Sequence, residues 1–502
     1  MEELRKIQVG SMVYTSLQSA GPGMPVRIMI TGTEQARVDD AKPRVENFIK
    51  AKIALQNFRP TTRFVCFEER IKSVRIKPYG NPQALTVIVD PMETLLPVEM
   101  VAPLRQPDIQ EMIRDDQLEA VEETILESFD VIRQRSQVYS MGISLGLLKL
   151  GPRLRPSQEN CYKRDEFVDM MERDDTRVSG SIEKPVMGSV EHELLGRLIG
   201  APNVLSPIHH QIRSNSFIKP VFRVTAILRD PNNSGRNVLL QLEFEDRDDD
   251  EIVRLPAKWS ILEPGKDLPA NMMNVNLLFP SSGRAWHFHV NSSRVVRKDR
   301  LSPFLVEYAN RIVLDTSRAR NPNFLDRYIR FPTGGPTLLR AKTERVWVFR
   351  ITGTDYRLEA SQSRYGYDAN PHPTLQWFCT VRHPDWETHF HMLEKMTIGN
   401  VPKWPHMMKM FFPDDGYTYI EETEPVVEPK KKKEIDKAAK KAKIGGENFG
   451  KGKGKAKDID TNESSKKMSI ADSNNLKPET GLRLLTHKLI KITAVVEGRP
   501  VE

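Results

Sequence analysis

The chain has very little cysteine. Its 502 residues include three, Cys66, Cys161 and Cys379, which lie too far apart to form a CxxC pair. This argues against a structural zinc site and favours a reducing compartment. No run of about 18 apolar residues occurs, which argues against a transmembrane helix, and the first ten residues lack the apolar core of a signal peptide. We therefore expect a soluble intracellular protein with no membrane contact, in the nucleus, the cytoplasm or both.

Catalytic signatures are also scarce. No Ser/His/Asp or Cys/His set is recognisable, and Gly334–Gly335 alone does not make a phosphate loop. The chain has two His-x-His pairs, one formed by His287 and His289 and the other by His389 and His391. On a strand, this spacing places both imidazoles on one face, as in some β-barrel metal sites, but amphipathic strands produce it as well, and we favour that reading. We predict no enzymatic activity, no cofactor, no metal site and no identifiable small-molecule substrate.

Positive charge is concentrated in two blocks. The net charge is +8, and residues 294–345 and 430–457 together carry more positive charge than this total. Low hydrophobicity and high charge predict that residues 413–475 are a disordered basic linker. Its lysines fit a nuclear-import signal or a nonspecific phosphate tether, although a solubilising role is also open. The lysines in question are Lys430, Lys431, Lys432, Lys433, Lys440 and Lys441.

The block at 294–345 is rich in arginine with aromatic residues between the charges. Arginine binds phosphate bidentately and stacks on bases, and aromatic rings provide stacking platforms, so this composition is typical of a nucleic-acid surface. A solvated charged face with the aromatics buried would have the same composition. The candidate nucleic-acid-binding residues are Arg294, Arg297, Lys298, Arg300, Arg318, Arg320, Arg327, Tyr328 and Arg330.

The chain length and the apolar patterning predict an α+β protein with several parts. Helical spacing of apolar residues predicts a long helix at 108–139 and a shorter one at 302–315, with Ser302 as its N-cap and Pro303 in its first turn. Alternation predicts strands around them, including a hairpin at 218–246 with its turn at Pro-Asn-Asn-Ser-Gly. All six tryptophans lie between 259 and 404, which indicates a separate, mostly antiparallel β domain. We predict the following parts: an α/β unit at 1–58, a mixed region at 59–205, a β-rich domain at 206–412, the basic linker at 413–475 and an apolar segment at 476–502. We expect the stretch 482–496 to fold back onto the rest of the protein; the alternative is a short docking motif.

The segment "LRKIQVGSMVYTSLQSAGPGMPVRIMITGTEQARVDDAKPRVENFIKA" resembles the second half of a K-homology (KH) domain. It matches the order of that family: a short helix, a strand, a variable loop, a strand ending near a glycine, and a long helix. The G-x-x-G loop with which KH domains hold the RNA backbone is missing from the chain. The segment therefore corresponds to a partial, degenerate KH-like unit.

Three further segments, "GISLGLLKLG", "KRDEFVDMM" and "ERVWVFRITGTDYRLEA", are similar to an uncharacterised family of fungal proteins. In that family, KH-like segments precede a β-rich region of unknown function. The resemblance implies a fold order and a link to RNA, and no catalytic residues. We predict a non-catalytic RNA-binding or RNA-associated protein. The alternative is a protein-interaction scaffold that binds partners through the β domain or through 482–496.

Overall fold

In the computed structural model, the described residues are 2–18, 27–57, 61–67, 73–79, 81–90, 113–152, 160–173, 178–183, 185–186, 193–208, 218–233, 235–246, 252–280, 282–296, 300–315, 328–365, 375–413 and 481–501. Their helices are α1 Glu2–Ser11, α2 Gln35–Asn57, α3 Asp115–Ile132, α4 Arg164–Arg173, α5 Leu194–Ile199, α6 Pro303–Asn310, α7 Pro384–Glu394, α8 Met407–Phe411 and α9 Gly481–Glu497. Among these residues, no helix is both long enough and apolar enough to cross a bilayer.

The strands belong to one large sheet and two small ones. In chain order they are β1 Tyr14–Gln18, β2 Arg27–Thr31, β3 Thr61–Val65, β4 Ser73–Tyr79, β5 Asn81–Asp90, β6 Val138–Pro152, β7 Asn160–Lys163, β8 Val178–Glu183, β9 Leu205–Pro207, β10 Val221–Arg229, β11 Asn237–Asp246, β12 Ile252–Arg254, β13 Lys258–Ile261, β14 Ala270–Phe279, β15 Arg284–Val295, β16 Val313–Leu314, β17 Ile329–Arg330, β18 Leu338–Ile351, β19 Arg357–Tyr365 and β20 Leu375–Arg382. This mixture of helices and mainly antiparallel strands agrees with the predicted α+β class.

Eight strands of the large sheet close into a barrel. They follow the order β15-β13-β11-β10-β18-β19-β20-β6, and β6 pairs back onto β15. The closing pair is long and antiparallel, from Val138 opposite Ser293 to Leu147 opposite Arg284. Closure removes the free edges that an open sheet would expose.

The closed barrel corrects the predicted division at residue 205. Strand β6, from the predicted mixed region, pairs with β15 and β20 of the predicted β-rich domain, and β3 pairs in parallel with β14. The predicted boundary therefore does not divide the sheet. Local apolar patterning identifies a strand, but it does not show which distant strand will pair with it.

The hairpin of β10 and β11 follows directly from its turn residues. The Asp230 carboxylate accepts a hydrogen bond from the backbone N–H of Asn232 at 3.0 Å, and the Asn233 side chain accepts one from Gly235 at 3.3 Å. Such Asx turns reverse the chain and leave Arg229 opposite Asn237. The predicted hairpin is confirmed.

Two hydrophobic cores cover the outside of the barrel. The main core packs the outward residues of β6, β15 and β20 against α3, α7, α8 and α9. The second core packs β10 and β11 against α6 and Tyr328. Both predicted helices exist but are shorter: 108–139 contains α3, which ends at Ile132, and 302–315 contains α6, which ends at Asn310. Serine at 302 and proline at 303 mark the start of α6, as predicted.

The predicted apolar segment at 482–496 folds back as α9. Its buried residues include Leu485, Leu489 and Ile492, and the Trp286 indole N–H donates to the Leu489 carbonyl at 3.1 Å and to the Thr493 hydroxyl at 2.9 Å. The apolar face of this segment is therefore used inside the chain, which argues against it as a docking motif. A Cβ at Gly481 would overlap the Phe412 carbonyl, so Gly481 lies directly against Phe412. Most of the predicted disordered linker lies in the stretch 414–480, outside the described residues.

The N-terminal unit has the predicted order of helix, strand, strand and helix. Strands β1 and β2 pair antiparallel, and Ile28 and Ile30 pack against Leu4, Ile7 and Val45 of the two helices. The unit contacts the body where the Asn47 amide donates to the Gly399 carbonyl at 3.1 Å.

Candidate ligand pocket inside the barrel

The inward face of the barrel is polar. On β18 and β19, the residues that face each other across the ladder include Lys342 and Tyr365, and Glu344 and Ser363. Directly opposed residues of an antiparallel pair share a face, and side chains alternate between faces along each strand. The outward neighbours Phe349 and Leu358 belong to the main core. The polar set therefore points into the barrel.

A network of ion pairs occupies the middle of the barrel. The Arg223 guanidinium donates to Glu243 at 2.7 Å and to both carboxylate oxygens of Glu359 at 3.0 and 3.2 Å. Arg382 also donates to Glu359, at 3.0 Å. The Glu359 side chain is only 13% exposed, so its charge is balanced by two guanidinium groups rather than by bulk water.

A second pair extends this network toward the pocket. The Lys342 ammonium lies 2.6 Å from a carboxylate oxygen of Glu344, and the Ser363 hydroxyl donates to the same carboxylate at 2.8 Å. Lys342 also lies over the rings of Tyr365 and Phe378, with its Nζ 5.6 and 5.1 Å from the ring centroids. These contacts fix the ammonium group in one place.

The pairing sets the ionisation of the network. Burial alone would raise the pKa of Glu359, but the charges and hydrogen bonds of Arg223 and Arg382 outweigh it and lower that pKa to about 2. Burial would lower the pKa of Arg223, whereas the glutamates around it, Glu359 first, raise that pKa well above its usual value. Burial would likewise raise the pKa of Glu344, and Lys342 and Arg223 lower it. Glu359, Arg223 and Glu344 are therefore charged at neutral pH.

A pocket of about 270 Å³ lies on one side of this network inside the barrel. Its lining consists of two cations, several hydroxyls, two amides and a few apolar side chains. The lining residues are Val138, Tyr139, Ser140, Thr225, Ile227, Leu239, Gln241, Ser260, Leu268, Pro269, Asn291, Ser292, Ser293, Arg340, Lys342 and Tyr365. Among these described lining residues, none is Asp, Glu, His or Cys. The charge of Lys342 is balanced by Glu344 behind the lining, whereas Arg340 and the hydrogen-bond donors of the lining match an anionic ligand.

The prediction that His287 and His289 lie on one strand is confirmed. Both lie on β15 with ring centroids 4.9 Å apart, and His289 faces Gly142 of β6. A Cβ at Gly142 would come within 3.0 Å of the His289 ring and 3.1 Å of Thr380. Glycine at 142 therefore makes room for this imidazole.

His389 and His391 were predicted on a strand, and this was wrong. Both lie in α7, which begins after the N-cap His383 with Pro384 in its first turn. Residues two apart on a helix do not share a face: His389 pairs with the Met410 carbonyl at 3.0 Å, and His391 lies 3.4 Å from Glu394. No group of three or more His, Cys, Asp or Glu side chains suited to a metal ion occurs within the described part of the chain.

The predicted nucleic-acid residues fall into three groups. Arg294 on β15, Arg300 just before α6 and Arg330 on β17 are exposed. Arg330 pairs with Asp315 at 2.5 Å. Tyr328 is 5% exposed. The other predicted residues lie outside the described residues: Arg297, Lys298, Arg318, Arg320, Arg327, Lys430, Lys431, Lys432, Lys433, Lys440 and Lys441.

Tyr328 corrects the prediction of a stacking platform. Its ring packs 5.5 Å from the Phe222 ring, and the Arg345 guanidinium lies 4.8 Å from its centroid. The ring is therefore part of the second core and is not available to a base. The residues predicted from the sequence do not include Arg223, Glu243, Glu359 and Arg382. Charged residues at every second position of otherwise apolar strands were the available signal for a polar barrel interior.

Two solved structures show a distant likeness to the chain. One is the S. pombe Pct1 RNA triphosphatase, with a TM-score of 0.31 and 9% identity over 59% of this chain and 89% of that chain. The other is the same protein in complex with the Spt5 CTD, with a TM-score of 0.31 and 8% identity over 56% of this chain and 85% of that chain. A likeness at this level does not show a shared activity.

No curated protein matches the chain. Residues 105–417 match a domain of unknown function, DUF7905. That range contains α3 and every strand of the closed barrel. The protein therefore belongs to the DUF7905 family.

Proposed function

We propose that this protein is a non-catalytic RNA-binding protein whose barrel pocket holds a phosphate group of the RNA. The observation that supports this most is the lining of the pocket, which combines Arg340 and Lys342 with hydroxyl and amide donors. Arg340 is exposed and forms no ion pair with any other described residue. Its guanidinium is therefore available for bidentate pairing with a phosphate.

The lining also supports the non-catalytic part of the proposal. The hydroxyl groups of the lining would need a neighbouring imidazole or carboxylate as a base to act as nucleophiles. The described residues of the pocket wall include neither group, and the Lys342 ammonium is paired with the Glu344 carboxylate at 2.6 Å. The pocket is suited to holding an anion in place.

The remaining basic residues would add affinity that does not depend on RNA sequence. The phosphates along the RNA strand would be contacted by the exposed Arg294, Arg300 and Arg330 and by the lysines between 430 and 441. The order of helix, strand, strand and helix in the N-terminal unit supports a KH-like origin, and its long helix and two strands would extend the RNA-binding surface. Such a protein would work in the nucleus, the cytoplasm or both.

Replacing Arg340 with glutamine tests the pocket. We expect the affinity for a fluorescein-labelled 12-residue oligouridine to fall by about 3- to 10-fold, because one phosphate contact is lost. The slope of log Kd against log salt concentration should fall by about 0.7. Fluorescence anisotropy between low and physiological salt measures both quantities.

Arg173→Gln is the matched control, because Arg173 is exposed on α4 and pairs with Asp169 at 3.5 Å, away from the barrel interior. It should bind like the unmodified protein. The proposal would be wrong if the unmodified protein did not bind oligouridine at low salt, or if Arg340→Gln and Arg173→Gln behaved alike.

A protein-interaction scaffold is the second candidate, and one observation favours it. Phe304, Val306 and Val313 are 46%, 38% and 51% exposed on and just after α6. Several large apolar side chains exposed in one short segment often mark a binding surface. Leu305 and Tyr308 on the same helix are buried in the second core, so α6 is held rigidly.

The double change Phe304→Ser and Val306→Ser separates the two functions. Since both side chains are exposed, we expect unfolding to change little, while a partner that uses this surface should lose about tenfold in affinity. Quantitative mass spectrometry of purified complexes measures partner loss, and oligouridine anisotropy should stay unchanged. Loss of RNA binding with no loss of any protein partner would argue against the scaffold.

A further inference from the structure

The outward side of β18, β19 and β20 carries a strip of residues between the two outer cores. We call it the outer strip and define it as Trp347, Gln362, Arg364 and Trp377. The register places Trp347 opposite Ala360, Gln362 opposite Trp377, and Arg364 opposite Thr343. All four residues are half-buried, so each presents part of its side chain to solvent.

The two tryptophans of the outer strip form a parallel pair. Their ring centroids are 5.3 Å apart and the ring planes differ by 22°. The small side chain of Ala360 lies on the strand between them, which lets two indoles on non-adjacent strands meet. One side of each indole contacts the main core, and this contact holds the rings in place. A fixed pair of partly exposed indoles is a surface on which bases can stack.

Charge is separated between the two faces of these strands. Glu344 and Glu359 point into the barrel, where cations pair with them. Arg364 lies between the inward-pointing Ser363 and Tyr365 on β19, so it points outward. Arg345 points outward as well, but it is buried over the Tyr328 ring. Among the described residues at the outward positions from 343 to 347, 360 to 364 and 375 to 377, none is acidic. The strip therefore presents positive charge next to aromatic rings.

We propose that the outer strip binds single-stranded RNA, with bases stacked on Trp347 and Trp377 and a phosphate held by Arg364. This inference rests on the proposed function and extends it by a second contact surface. Its occupant must be single-stranded, because the bases of an A-form duplex are stacked on one another and cannot reach the indoles. Positive charge and aromatic rings together match the two parts of such a strand, its phosphates and its bases.

Gln362→Glu tests the outer strip with little risk to folding. It places a carboxylate directly opposite Trp377 and diagonal to Trp347 on a half-buried side chain, where it would repel the RNA phosphates. We expect the affinity for single-stranded oligouridine to fall by about tenfold. Gln362→Met is the matched control at the same position, because it keeps the length of the side chain without a charge, and it should bind within about twofold of the unmodified protein.

Photo-crosslinking with 4-thiouridine gives an independent measurement on the full chain. Crosslinks located by mass spectrometry should fall on peptides that contain Trp347 or Trp377. A fully paired duplex of the same length should compete poorly with the single strand.

The outcomes distinguish the two proposals. If the unmodified protein did not bind oligouridine, the proposed function would be wrong and this inference with it. If binding was sensitive to Arg340→Gln but unaffected by Gln362→Glu, the inference alone would be overturned. Equal losses in Gln362→Glu and Gln362→Met, or crosslinks confined to other peptides, would overturn it as well.

Discussion

Replacing Glu359 with glutamine is expected to lower the free energy of unfolding by about 3–5 kcal/mol. The carboxylate accepts hydrogen bonds from Arg223 and Arg382 inside the barrel. Glutamine keeps the size of the side chain but removes its charge, and its NH₂ group would face guanidinium donors. Two cations would then lie in the barrel interior without their main counter-charge. Urea unfolding followed by circular dichroism measures the change.

Glu387→Gln is the control for this experiment. Glu387 also forms an ion pair, with Lys258 at 3.2 Å, but its side chain is 77% exposed, so the loss should stay below about 1 kcal/mol. Similar losses in the two variants would show that the buried network does not stabilise the barrel as described.

The pH dependence of unfolding provides a second readout of the Glu359 substitution. In the folded protein the pKa of Glu359 is about 2, below its usual value of 4.5. The stabilisation by this carboxylate is therefore complete above pH 4.5 and is lost as the pH falls from 4.5 through 2. The Glu359→Gln variant lacks this contribution, so its stability should fall less steeply over that range.

Ending the chain after residue 480 is expected to have a larger effect still. Helix α9 buries several large apolar side chains against the barrel, at about 1.5–3 kcal/mol each, which together reach the total stability of a typical domain. The indole N–H of Trp286 would lose both of its acceptors. We expect the truncated protein to be insoluble or unfolded, as judged by gel filtration and circular dichroism.

A control deletion separates loss of α9 from simple shortening. Because Gly481 lies against the Phe412 carbonyl, residues 414–480 can be replaced by a short Gly-Ser linker that keeps α9 attached. This variant should fold with nearly unchanged stability, since loop length has a small entropic effect. If it unfolded as readily as the truncated chain, α9 would not be the cause.

Features with local signals could be predicted from the sequence. The turn residues between Asp230 and Gly235 predicted the β10–β11 hairpin, and apolar spacing predicted α3 and α6. Helix α7 was not predicted, because the alternate positions of His389 and His391 suggested a strand. The helix-start signal was present, with His383 as N-cap and Pro384 after it.

Features that depend on distant pairing could not be predicted. Closure of the barrel needs β6 to meet β15, and the pocket needs Gln241, Asn291 and Arg340 to face the same space. Alternating charge on β18 and β19 indicated that one face was polar. It did not show whether that face was the inside of a barrel or an exposed surface, because this depends on strands far away in the chain.

The long stretch of sequence between β20 and α9 has a consequence during synthesis. The barrel can close once β20, which ends at Arg382, has left the ribosome, but the outer face around Trp286 stays uncovered until residues up to Glu497 follow. At typical elongation rates this delay is about 5–25 seconds. During that time the nascent chain exposes the apolar surface that α9 later covers.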